Sequence, residues 1–117
     1  MNYRDAQIIL HIRHYCCINN EVIERLSNDF RQFEKDEALR HAISMCIMQI
    51  GELVSGLSDE FKDSTRVQMP WGLIRGMRNR FAHSYASMDK GDIWETASKD
   101  IPALLTFCEK IIKENTV

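Results

Sequence analysis

Met69-Pro70-Trp71-Gly72-Leu73-Ile74-Arg75-Gly76-Met77-Arg78-Asn79-Arg80-Phe81-Ala82-His83-Ser84-Tyr85 is the stretch on which the reading of the fold turns. Pro70 suits the first position of a helix, because the N–H it lacks would find no partner there anyway. Trp71, Ile74, Met77 and Phe81 then recur by three and four, so they line one side of that helix. The apolar spacing predicts a helix that ends near His83-Ser84-Tyr85.

Outward from this segment the same period repeats. Upstream, Ile9, Ile12, Cys16, Ile23 and Leu26 step mostly by three and four between about Tyr3 and Ser27, and Asn28-Asp29 breaks the pattern. Asp36 suits the N-cap of a second long helix, whose stripe is Leu39, Ile43, Cys46, Ile50, Leu53 and Leu57, with Gly56 or Ser58 closing it. Two such stripes favour an antiparallel pair. The polar run Ser58 to Met69 reads as a loop with a short turn at Asp59–Phe61. Downstream of the quoted segment, Asp89 or Asp92 can cap a helix holding Ile93, Trp94 and Ala97, and Pro102 is expected to break or kink the chain. Leu104, Leu105, Cys108, Ile111 and Ile112 form a last amphipathic piece. The expectation is an all-α, four- or five-helix antiparallel up-and-down bundle in one domain over residues 1–117. Apolar surface left by short helices would favour a homodimer.

Composition agrees with this class. The 117 residues suit a single core, and two prolines with five glycines are too few turn signals for a strand-rich domain. No stretch approaches the roughly 20 apolar residues that span a bilayer. Met1-Asn2-Tyr3-Arg4-Asp5 has no basic region leading into an apolar run, so a membrane partner is not expected and the cytoplasm is. Cys16, Cys17, Cys46 and Cys108 fit no zinc or redox spacing, and three of them fall on apolar stripes as small buried residues. The net charge is −2. It is unevenly spread: Arg66, Arg75, Arg78 and Arg80 lie between Ser64 and Met88 with no acidic residue among them, which leaves the rest of the chain at −6. A local cationic site on an acidic body can hold a phosphate without general stickiness.

Chemistry concentrates in Arg78-Asn79-Arg80-Phe81-Ala82-His83-Ser84-Tyr85. Asn79 and His83 are four apart and share a helix face, with Arg78 one step round; a bend near the helix end would let Arg78 and His83 converge. An imidazole can take or give a proton near neutrality, and a guanidinium binds two phosphate oxygens and stabilises added charge. On RNA the 2′-hydroxyl can act as internal nucleophile, so the reaction needs neither metal nor cofactor, and a 2′,3′-cyclic phosphate is the expected product. With nine arginines and four histidines, Arg-x4-His arises by chance roughly 0.3 times in such a chain, and about 0.01 times once Tyr is required two positions after His.

The run from Met69 to Tyr85 resembles the signature of the HepT family within the HEPN superfamily. Ile50-Gly51-Glu52, Ile93-Trp94 and Asp100-Ile101-Pro102-Ala103-Leu104 extend the likeness over the chain. The resemblance implies a homodimeric helical bundle whose Arg-x4-His segments face each other across a cleft. It implies an RNA-cleaving toxin paired with a nucleotidyltransferase antitoxin of the MNT type. In such pairs the antitoxin transfers AMP to the tyrosine of the motif, so Arg78 and His83 map to the catalytic pair and Tyr85 to the modified residue. Asn79 occupies a position that is often polar. Ser84 stands where the family usually has glycine.

Other readings of these residues stay open at this level. Tyr85 can pack against Trp71 or Trp94. Arg75 and Arg80 can hold RNA or pair with acids. His11 and His14, three apart on a helix, lack a third metal ligand, and His41 carries no signal. Glu52, next to a glycine in an apolar stripe, can pair with an arginine or face a dimer cleft. A rival function for the same cationic site is a non-catalytic helical dimer that binds a nucleotide or a nucleotidyltransferase partner.

Overall fold

Seven helices follow one another in the computed structural model, which describes residues 1–115. They are α1 (Tyr3–Arg25), α2 (Phe30–Lys35), α3 (Glu37–Ser55), α4 (Asp59–Thr65), α5 (Trp71–Ser84), α6 (Lys90–Glu95) and α7 (Ile101–Asn115). A 3₁₀ turn, Tyr85–Ser87, follows α5, and a π-turn, Thr96–Asp100, joins α6 to α7. No residue among those described is in a strand. The all-α bundle is therefore as expected. Four long rods, with α6, the π-turn and α7 acting as one of them, carry two short additional helices.

The expected apolar stripes form one contiguous core. Ile9, Ile12 and Cys16 of α1, Ile43, Ile47 and Ile50 of α3, Phe81 of α5, and Leu104 and Cys108 of α7 are all buried. The rods run antiparallel. Asp5 near the start of α1 accepts hydrogen bonds from the Ser58 N–H (2.9 Å) and hydroxyl (2.6 Å) just past the end of α3. Asp5 is itself 2 % exposed, so these bonds are what make its burial tolerable. Capping follows the sequence closely. Asp36 accepts from the Leu39 N–H (2.9 Å), Gly56 terminates α3, and Asp89 accepts from the Gly91 and Asp92 N–H groups.

Two local expectations are corrected, and one helix appears where none was assigned. The break at Asn28-Asp29 is real, with Ser27 and Asn28 both at positive φ (56° and 50°), and a short helix, α2, follows it. Helices this short are not self-sustaining. Phe30 and Phe33 seat α2 on Trp94, with ring centroids 6.2 and 5.1 Å away. Likewise Asp59–Thr65 is helix and not loop, because Phe61 packs on Trp71 and the Trp71 indole N–H donates to the Thr65 hydroxyl (2.9 Å). Pro70 precedes α5 as its N-cap, one position earlier than expected.

Pro102 does not break the chain. It lies in the first turn of α7, and the turn before it widens, with the Ile101 N–H bonding to the Thr96 carbonyl. A π-turn of this kind absorbs a proline whose missing N–H would interrupt an α-helix. The Asn19 amide, fully buried on α1, donates to the Ala97 carbonyl in the widened turn (2.9 Å).

Candidate active site

The α5 helix is held against α3 by a contact that only glycine permits. A Cβ built on Gly51 would overlap the Cβ of Arg78, with the Arg78 backbone next in line at 3.4 Å. Hence Gly51 sets how closely the two helices approach at the arginine. One residue further along α3, Glu52 forms an ion pair with Arg78. The other side of the guanidinium donates to the Asn79 amide oxygen (2.9 Å). The Arg78 side chain is about a third exposed, at 32 %. Five donors on a planar fork leave N–H groups for a further acceptor after these two contacts.

His83 lies in the last turn of α5 and is exposed, its imidazole making no hydrogen bond to any described residue. α5 keeps its helical course through His83 and leaves helical dihedrals at Ser84 (φ −138°, ψ 17°), so the bend comes after His83 and does not carry it back towards Arg78. In a straight helix, residues five apart lie roughly 140° apart around the axis. Arg78 is accordingly turned into the α3–α5 seam while His83 faces outward. Asn79 and His83 share the outer face, both exposed.

Tyr85 opens the 3₁₀ turn and is half-buried. Its ring stacks on Phe81 (5.9 Å, 22°) and meets the His41 ring edge-on (5.6 Å, 77°), so its neighbours are these two residues and neither tryptophan. Arg75 is exposed without a partner among the described residues. Arg80 lies 3.8 Å from Asp92, with both side chains more than half exposed. Such an exposed pair contributes ~0–1 kcal/mol and is easily exchanged for a phosphate.

Two features were not legible in the sequence. His41 gave no signal because its relation to Tyr85 is tertiary, between α3 and the 3₁₀ turn after α5. The role of Gly51 could only be suspected from a glycine inside an apolar stripe. Glu52, for which two partners were open, pairs with the arginine. Among the described residues, no group of three or more His, Cys, Asp or Glu could hold a metal ion, and His11 and His14 are both exposed on α1. No described helix is long and apolar enough to cross a membrane. A groove of about 260 Å³ lies elsewhere, between α5 and α7, lined mainly by Met69, Leu73, Met77, Ile101 and Leu104, with Gln68 and Asp100 as its polar members. It contains no cationic group to hold a phosphate, so the α3–α5 seam, which holds Arg78, is the better candidate.

Residues 12–111 match the family model described as Ribonuclease HepT-like. Among relatives, an RNase-designated protein of Caldanaerobacter subterraneus is 38% identical over 94 residues, covering 80% of each chain. Another from Methanocaldococcus jannaschii is 31% identical over 86 residues, covering 74% of this chain and 73% of its own. A protein of Thermococcus cleftensis designated ribonuclease HepT is 30% identical over 95 residues, covering 80% of this chain and 86% of its own. No solved structure matches the chain. With the family model spanning nearly all of the bundle and the Arg78–His83 segment inside it, the chain belongs to the HepT-like family of ribonucleases.

Proposed function

We propose that the protein is a metal-independent endoribonuclease whose catalytic groups are Arg78 and His83, and that it acts as a homodimer. The arginine binds the scissile phosphate and stabilises the charge added in the transition state. The histidine moves the proton between the 2′-hydroxyl and the leaving 5′-oxygen. The RNA's own 2′-oxygen attacks phosphorus, the bond to the 5′-oxygen breaks, and a 2′,3′-cyclic phosphate remains. Asn79 supports the guanidinium, and Arg75 and Arg80 supply further phosphate contacts.

The observation that carries the dimeric reading is the placement of Arg78 and His83 on different sides of a straight α5. One chain does not converge them, whereas two α5 helices facing each other can set the arginine of one beside the histidine of the other. This is tested by mixing Arg78→Ala with His83→Ala, each inactive alone. A hybrid dimer then holds one site with both groups intact, so mixing restores a substantial fraction of cleavage. No restoration would place both groups of each site in a single chain.

The same reading makes the protein the toxin of a toxin–antitoxin pair, restrained by an MNT-type nucleotidyltransferase that transfers AMP to Tyr85. Three features support Tyr85 as acceptor: it lies just past the catalytic turn, it is only half-buried, and its position in the motif matches. An adenylyl group there would place an anion among the arginines and block the site. Incubation with such a partner and ATP should raise the mass of the wild type by one adenylyl group and leave Tyr85→Phe unchanged. Modification elsewhere in the Tyr85→Phe chain would remove this assignment.

A further inference from the structure

The α3 face beside the catalytic segment is itself organised. His41, Met45, Met48 and Glu52 recur by four, three and four, so they form one stripe along α3. Both ends of the stripe are tied to the catalytic segment: Glu52 to Arg78 of α5, and His41 to Tyr85 of the 3₁₀ turn that follows it. The eleven-residue step from one end to the other corresponds to roughly 16 Å along the helix axis. Within that length the seam changes character from cationic at Arg78, through the thioether of Met45, to aromatic at Tyr85 and His41. Met45 is 54% exposed, one of few large apolar side chains left in solvent. Its sulfur is met by the Gln49 amide (3.7 Å) and no other described group.

The aromatic end is a graded series. Phe81 is buried at 2 % exposure, Tyr85 stacks on it and is half-buried, and His41 stands edge-on to Tyr85 with more than half of its side chain exposed. Glu37, one turn back, lies 3.8 Å from His41. Rings braced by the core and left partly exposed, as Tyr85 and His41 are, are what unstacked nucleobases bind; an already paired duplex presents no such base.

We propose that His41, Tyr85 and Met45 form a nucleobase subsite for single-stranded RNA, in which a base a short way along the strand from the scissile phosphate rests against the His41 and Tyr85 rings while Arg78 engages the phosphate. His41 is thereby a substrate-binding residue that no sequence motif singles out. The subsite rests on the ribonuclease reading of Arg78 and His83, and it predicts a preference for an unpaired strand through stacking instead of base-edge hydrogen bonds.

The test measures binding, so that it is separate from catalysis. On a His83→Ala background, a short fluorescein-labelled single-stranded oligoribonucleotide is titrated and followed by anisotropy. His41→Ala should weaken binding roughly 5- to 100-fold, the range expected for losing one stacked base. His41→Phe should retain most of the affinity, because a ring and not a charge is required, and the duplex of the same sequence should bind more weakly than the single strand. The proposal is overturned if His41→Ala binds like its parent, or if His41→Phe is as weak as His41→Ala. It is overturned equally if His41→Ala shifts the oligomeric mass, which would make this face a protein contact. Failure of the wild type to cleave any RNA would remove the catalytic reading, while a His41-dependent affinity would still stand.

Discussion

At the scale of single residues, Arg78 is the most constrained group in the site. Gly51 gives it room, Glu52 holds one side of its fork and Asn79 accepts from the other. Glu52→Gln keeps the shape and removes the charge that orients the guanidinium. A partly exposed pair of this kind adds ~0–1 kcal/mol to stability, so the melting temperature should move little. With Arg78 in its proposed catalytic role, the cleavage rate should fall about tenfold. Rate and melt measured on the same preparation check this, and an unchanged rate would make the pair structural only. The proposed site residues Arg78, His83 and Tyr85 stand out in the sequence because their spacing, from α5 into the 3₁₀ turn, carries the motif. His41 does not, because a ring contact between α3 and that turn leaves no trace in local spacing.

At the scale of elements, the informative contact is α3 against α5. Gly51→Ala introduces a methyl group where the Arg78 side chain already stands, and backbone follows close behind. Overpacking of this type costs ~1–3 kcal/mol, and relief requires α5 to move away at its arginine. The variant should therefore lose both stability and cleavage, seen as an earlier urea midpoint and a reduced rate. Full activity at an unchanged midpoint would show that the seam is looser than the structure indicates. Asn19→Ala tests the other join: the Ala97 carbonyl in the π-turn loses its buried donor, for an expected cost of ~1–3 kcal/mol. The long helices were readable from their stripes and caps. The short α2 and α4 were not, since aromatic contacts with Trp94 and Trp71 hold them and propensity does not. Pro102 was readable as a disturbance, but its resolution by a widened turn depends on Asn19, far away in sequence.

At the scale of the whole molecule, one core collects the buried faces of the helices, and the cysteines report on it. Burial pushes the Cys46 thiol up to about 11 and Cys108 up to about 12, and it raises Cys16 as well. Cys17 alone of the four is exposed. The thiolate is the reactive form, so a native sample at pH 8 should give one fast-reacting thiol per chain, lost in Cys17→Ser. The other three should react only on unfolding, and several fast thiols in Cys17→Ser would contradict the packing described. The central claim is that Arg78 and His83 cleave RNA. Its most direct measurement is cleavage of purified RNA by the wild type, Arg78→Ala and His83→Ala side by side, with EDTA present and the oligomeric mass of each verified. Wild type should cut and leave 2′,3′-cyclic phosphate ends, while each variant, with mass and fold unchanged, should be slower by about 10²–10⁴-fold. Cleavage by either variant at the wild-type rate, or loss of wild-type cleavage in EDTA, would contradict it.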